Sequence, residues 1–110
     1  MFIMKMMERR IKKIARLFKG KLERRLGQAE VILFGSQARG EATPESDLDL
    51  CVIVERKSRR VREIILRCAW EVGFEHGMVL APIIYSRKEL AGVLGQSPMV
   101  ENIRSEGIRL

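Results

Sequence analysis

Aromatic side chains are scarce in this chain: one Trp, one Tyr and four Phe among 110 residues. That is thin material for stacking on nucleic-acid bases. Cysteine is nearly absent. Cys51 and Cys68 stand far apart, each inside an apolar stretch. They form neither a metal knuckle nor a disulfide framework, and the expectation is two buried free thiols. A single histidine, His76, sits between glycines in a turn-like stretch and reads as a surface residue. No apolar run reaches the length of a bilayer span. The opening Met1-Phe2-Ile3-Met4 is too short for the core of a signal peptide. A cytoplasmic protein with no membrane attachment is expected. Internal repeats, low-complexity tracts and linkers are also missing, and the length is that of one domain.

Nearly half of the residues are apolar, enough for one core of a small domain. The net charge of +7 is unevenly spread. Residues 1–27 hold ten Lys or Arg against Glu8 and Glu23, whereas the other 83 residues are close to neutral. The chain therefore divides into a basic amphipathic helix over 1–27 and an α/β core over 28–110. A basic segment of this kind could meet RNA, an acidic protein or a nucleotide. A solvated helix face is the plainer reading. The methionines of the first seven residues suggest a soft apolar contact surface for the sheet or for a second subunit.

Periodicity supplies the elements. Met7, Ile11, Ile14, Phe18, Leu22 and Leu26 recur every three or four residues, which predicts a helix over 5–26, with a break near Gly20 possible and Gly27 as its stop. Glu30 to Phe34 reads as a short buried strand ending at Gly35. Gly35 to Ser46 is a polar connection with room for one helical turn around Gln37-Ala38-Arg39. Leu48 to Val54 alternates as a second strand. Leu48, Leu50, Val52 and Val54 face one way, and Asp47, Asp49, Cys51 and Ile53 the other, so its charged end belongs at the rim of the sheet. A helix is predicted over 58–73, with Trp70 as packing near its end. A strand over 78–85 carries Pro82, which suggests an edge or a bulge. Ser86 and Glu89 can form a capping box for a helix over 87–94. A last helix runs from Pro98 to Glu106, and Gly107 ends it. This order argues for a compact α/β or α+β layer fold.

The chemistry concentrates in Gly35-Ser36-x-x-Arg39-Gly40 and Ser46-Asp47-Leu48-Asp49-Leu50. Gly35 lets backbone approach a bulky anion. Ser36 opens a helical turn whose N–H groups can point at phosphate oxygens, and its hydroxyl adds a donor. Asp47 and Asp49 share one face of a strand, with Cα atoms roughly 6.5–7 Å apart. Two carboxylates so placed can hold Mg²⁺, which keeps substrate phosphates in its shell. A Gly-Ser pair alone is common in loops, and an Asp-x-Asp alone is common at strand ends. Their combination between two apolar strands points to phosphoryl or nucleotidyl transfer.

The strings Leu33-Phe34-Gly35-Ser36-Gln37-Ala38-Arg39-Gly40 and Ser46-Asp47-Leu48-Asp49-Leu50 resemble the signature of the minimal nucleotidyltransferases, within the DNA polymerase β-like superfamily. The resemblance implies a small mixed β-sheet with helices packed on one face. It implies Gly35 and Ser36 at the triphosphate of an NTP, with ATP as the expected nucleotide. It also implies Asp47 and Asp49 as catalytic metal ligands for Mg²⁺. Family members are often paired with a helical partner of the HEPN type, and there the nucleotidyltransferase acts as antitoxin, in some cases by adding AMP to the partner. The family's third carboxylate usually lies on the strand after the intervening helix. Here that strand reads Met78-Val79-Leu80-Ala81-Pro82-Ile83-Ile84-Tyr85, without an acid. Glu71 and Glu75 precede it on the helix end or turn.

Several residues stay open between two roles. Arg39 could reach a phosphate, or pair with Glu41, Glu45 or Asp47 and shape the loop. Glu41 reads as a solvated loop residue, and Ser46 as a turn former. Tyr85 could stack on a base, though a core or rim position is the simpler expectation. Three functions follow. The first is transfer of an NMP group to a protein or small acceptor. The second is a catalytically reduced module that binds nucleotide or acts on a partner by contact. The third, nucleic-acid binding through the first helix, rests on charge alone.

Overall fold

The computed structural model describes residues 2–41 and 46–110. Ten elements follow in order: α1 (Phe2–Leu26), β1 (Glu30–Phe34), α2 (Gly35–Arg39), β2 (Leu48–Val54), α3 (Arg59–His76), β3 (Leu80–Ser86), α4 (Arg87–Ala91), a 3₁₀ turn (Val93–Gln96), α5 (Pro98–Glu106) and β4 (Ile108–Arg109). The strands form one mixed sheet in the order β3-β2-β1-β4. β1 runs antiparallel to β2 and β4, and β2 runs parallel to β3. A parallel pair needs a crossover, and α3 supplies it.

The apolar stripe of α1 is buried from Ile11 through Ile14, Ala15, Phe18 and Leu22. With Ile65, Cys68 and Val72 of α3 it covers the sheet face made by Val31, Leu33, Leu48, Leu50, Val52 and Val54. Lys21 reaches from α1 to Glu71 of α3 at 2.7 Å and locks the two helices together. The two long helices thus pack on one face, as the resemblance implies. The shorter C-terminal elements add something it did not: Ile103 of α5 and Leu90 of α4 pack on the opposite face, against Ile32, Phe34, Cys51 and Ile53.

Several boundaries differ from expectation. α1 runs through Gly20 without a break and stops at Gly27, whose φ is +83° and whose N–H donates to the Glu23 carbonyl. α3 continues past Gly73 to His76. Gly73 is no breaker, because a Cβ there would overlap the Met78 carbonyl, so a residue without one lets β3 start close to the helix. β3 begins at Leu80 and ends at Ser86. Pro82 does lie on an edge strand. The capping box of Ser86 and Glu89 forms, but α4 is shorter than expected and gives way to the 3₁₀ turn after Gly92. β4, unforeseen, follows Gly107 and pairs with β1.

Ile3 and Met6, at the start of α1, are exposed. Met1 and the side chain of Met4 lie outside the described residues, as does Glu45.

Candidate active site

The rim of the sheet where β1 ends and β2 begins brings the motif residues together. Antiparallel register sets Phe34 directly opposite Asp49. Gly35 follows at φ +76°, where L side chains rarely settle. A Cβ on Gly35 would overlap Asp49 Oδ2. This glycine therefore serves two purposes: it turns the chain out of β1, and it lets backbone lie against the carboxylate.

α2 begins at Gly35, and Phe34 before it carries no side-chain acceptor to cap the first turn. N–H groups at such an end remain open to an anion. Ser36 sits in this turn, partly buried. Its carbonyl accepts the N–H of Gly40 and, at 3.0 Å, that of Glu41, which closes the loop after α2. Gln37 reaches across the loop and donates from Nε2 to the Ser46 carbonyl at 3.4 Å. The phosphate-type turn and the Asp47–Asp49 segment are thus tied by a side chain inside the motif that sequence reasoning passed over.

Asp47 is exposed just before β2, and Asp49 is partly buried on it. Burial first, and the Asp47 charge second, hold the Asp49 carboxyl above its ordinary pKa, while Arg39 pulls it back. Two neighbouring carboxylates, one half-desolvated, form a donor set for a hard divalent cation. Among the described residues no cluster of three His, Cys, Asp or Glu side chains could hold a metal by itself. The pair suits an ion that draws its remaining oxygen ligands from phosphates and water, as Mg²⁺ does.

The place beside Asp49 on the neighbouring strand is Ala81, in direct register. Glu71 is clamped by Lys21 and Arg25 of α1, and the Lys21 hydrogen bond holds its carboxyl below the ordinary range. Glu75 also faces Lys21, at 3.9 Å. Neither is directed to the Asp47–Asp49 pair.

Arg39 pairs with Glu41 at 3.1 Å and with Glu106 of α5 at 3.3 Å, and both raise its pKa. Glu106 was invisible to local reasoning, being 67 residues away. Both cysteines are buried and free, and burial pushes the Cys51 thiol up to about 11. Tyr85 packs partly buried beside the second face. His76 ends α3, where its carbonyl accepts from Arg10. Trp70 corrects the expectation of a packing residue: it is 67% exposed and stacks on Phe74. It lies on the α3 surface that the sheet does not cover, a choice of face that periodicity alone left open.

The chain is also similar in sequence to known proteins. The family described as "Nucleotidyltransferase domain" matches residues 12–99. Two proteins of Methanocaldococcus jannaschii, each bearing the name "Putative protein adenylyltransferase", are similar. One is 35% identical over 77 residues, covering 69% of this chain and 72% of that protein. The other is 35% identical over 68 residues, covering 56% of this chain and 44% of its own longer sequence.

Proposed function

The chain belongs to the nucleotidyltransferase domain family, and from that premise we propose that it binds Mg-ATP at the rim built by Gly35, Ser36, Asp47 and Asp49 and transfers AMP to a protein. The observation that supports the reading is the close approach of Gly35 backbone to the Asp49 carboxylate, which brings the turn and the acid within one small volume. The adenylyltransferase names of the two relatives support ATP as donor and protein as acceptor. The resemblance to nucleotidyltransferases paired with HEPN-type proteins makes such a helical partner the first acceptor to try.

In this reading the turn from Gly35 to Arg39 orients the triphosphate. An acceptor hydroxyl oxygen attacks the α-phosphorus, and a new P–O bond forms. The bond to the bridging β-oxygen breaks, pyrophosphate departs with the electron pair, and the hydroxyl proton passes to water. Mg²⁺, held by Asp47 and Asp49, would neutralise charge on the α-phosphate and the leaving pyrophosphate. Arg39 adds positive charge beside the pair while its bonds to Glu41 and Glu106 keep the loop on α5.

The test is calorimetric titration of Mg-ATP into the wild type and into Asp47→Asn/Asp49→Asn. Magnesium-dependent heat that disappears in the double variant is expected. A folded wild type that gives no heat refutes the reading. One observation favours a second function, a reduced module that acts on its partner by contact: Ala81 stands where a third acid would complete the pair. Partner binding that survives Asp47→Asn/Asp49→Asn, with no AMP transferred by the wild type, would select it.

A further inference from the structure

A groove of about 520 Å³ lies between α3 and the edge strand β3. Leu66, Trp70 and Phe74 form one wall, and Val79 and Pro82 help form the other. The Trp70 and Phe74 rings stack 5.3 Å apart at 17°. They are 67% and 75% exposed, and Val79 beside them is also exposed. Large apolar side chains grouped in this way mark an interaction surface rather than ordinary surface scatter.

The groove reaches the same end of the sheet as the candidate active site. Ser46 lines it, and the next residue is Asp47. The Leu48 N–H donates to the Val79 carbonyl at 2.8 Å, so the groove wall is fixed to the strand that carries Asp49. The groove therefore opens at the end of the sheet that carries Asp47, on the face opposite the Asp49 side chain.

Charge and backbone select the occupant. Leu66, Trp70 and Phe74 are four residues apart on α3, and the same stripe extends back to Arg62 and Arg59, with Arg67 three residues before Trp70. Arg62 and Arg67 are exposed and form no ion pair among the described residues, while Arg59 meets only the exposed Glu63. A second copy of this chain, laid parallel along α3, would set these arginines against each other. An added β-strand would meet Pro82, which has no N–H to offer in the middle of the edge. A helix with apolar residues at i, i+3, i+4 and i+7 and acidic residues around them fits both the apolar wall and the basic flank.

We propose that this groove docks the acceptor protein through an acidic amphipathic helix, at the end of the sheet that carries Asp47. The proposal rests on the nucleotidyltransfer reading above for the purpose of docking, and on the groove alone for the docking itself.

Trp70 is the only tryptophan of the chain and reports on the groove directly. The probe is a synthetic amphipathic peptide of roughly 16 residues, long enough to hold a helix, with a Leu face and Glu elsewhere. Its controls are the same Leu face with Lys in place of Glu, and the Glu peptide with Ser in place of Leu. Addition of the acidic amphipathic peptide to the full chain should shift Trp70 emission to the blue. Both controls should bind at least about tenfold more weakly, as should the acidic peptide to Arg62→Glu/Arg67→Glu, an exposed double change that keeps the reporter. Equal binding of the Lys peptide, or of the charge-reversed variant, overturns the proposal. So does a Trp70 blue shift that grows with protein concentration alone, which would assign the groove to a second copy. Mg-ATP calorimetry on the same sample separates the two readings. Nucleotide heat without a peptide shift sinks the docking surface and spares the transfer site. A peptide shift without nucleotide heat does the reverse.

Discussion

The two faces of the sheet are built from the same strands and differ in how completely they are covered. On one face, Leu48, Leu50, Val52 and Val54 of β2 disappear under α1 and α3. On the other, β2 passes from Asp49 to Cys51 and Ile53; α5 and α4 cover Cys51 and Ile53, and Ile32 and Phe34 of β1, while Asp49 stays only partly buried. The difference shows where this small domain places its stability and where it places its chemistry. The covered face can be apolar throughout. The second face carries Asp49 as well, and its packing leaves that carboxylate partly open.

The largest test of that contrast is deletion of core volume. Phe18 is fully buried between α1 and the sheet. Phe18→Ala should cost about 3–5 kcal/mol, a large share of the stability of a domain this size. Ile103→Ala, on the partly covered face, should cost less, near about 2 kcal/mol, because the thinner layer of α4 and α5 over that face can relax. Urea unfolding of both variants measures the gap. Equal losses would mean that the second face is as much a core as the first.

Adding chemistry to the open face is the next largest effect. Ala81 is in register with Asp49 on the adjacent strand, with its Cα about 4.8 Å away. An acid there would face the pair and could take the proton of the acceptor hydroxyl. General-base catalysis is worth about 10²–10⁴-fold. Ala81→Asp should therefore raise AMP transfer by at least about a hundredfold, read with radiolabelled ATP and a purified acceptor. No gain would mean that the acceptor or water already does this work.

Gly35→Ala sharpens the comparison at the rim itself. Its φ of +76° and the overlap of any Cβ with Asp49 leave alanine no unstrained place. The expected stability loss is about 1–3 kcal/mol. Mg-ATP binding should be lost well before the fold is, since the turn and the carboxylate must separate. Calorimetry beside thermal unfolding would show it. Retained nucleotide binding would separate the glycine from the site.

These residues also mark what could be read in advance. β1 and β2 were legible to the residue because an apolar run stopped at Gly35 and a period-two pattern began after Asp47. The motif that meets at the rim was legible for the same reason, as its members are close in sequence. Gly73 misled, because a glycine that ends a helix and one that lets a strand pass close look alike in sequence. β4 has only two residues and exists through its pairing with β1. Glu106 beside Arg39, Ala81 beside Asp49 and the uncovered side of α3 are all consequences of tertiary register, which local periodicity does not encode.

The smallest expected effect concerns the charge held at the rim. Burial first, and the Asp47 charge second, raise the Asp49 pKa above the ordinary aspartate value. The folded state then holds this proton more tightly than the unfolded chain does. As pH rises from about 4 through the raised folded pKa, the native protein binds more protons than the unfolded one, and stability falls. Ionised Asp49 is thus a mild strain on the fold at neutral pH. Asp49→Asn should remove that strain, making the variant slightly more stable than the wild type at pH 7 and no more stable below about pH 4. Saturating Mg-ATP should narrow the difference at pH 7, because a bound cation stabilises only the wild-type carboxylate. Thermal unfolding across pH, with and without Mg-ATP, measures both. A variant less stable than wild type at pH 7 would show that Asp49 supports the fold, and the division of labour between the two faces would then fail at its most exposed strand end.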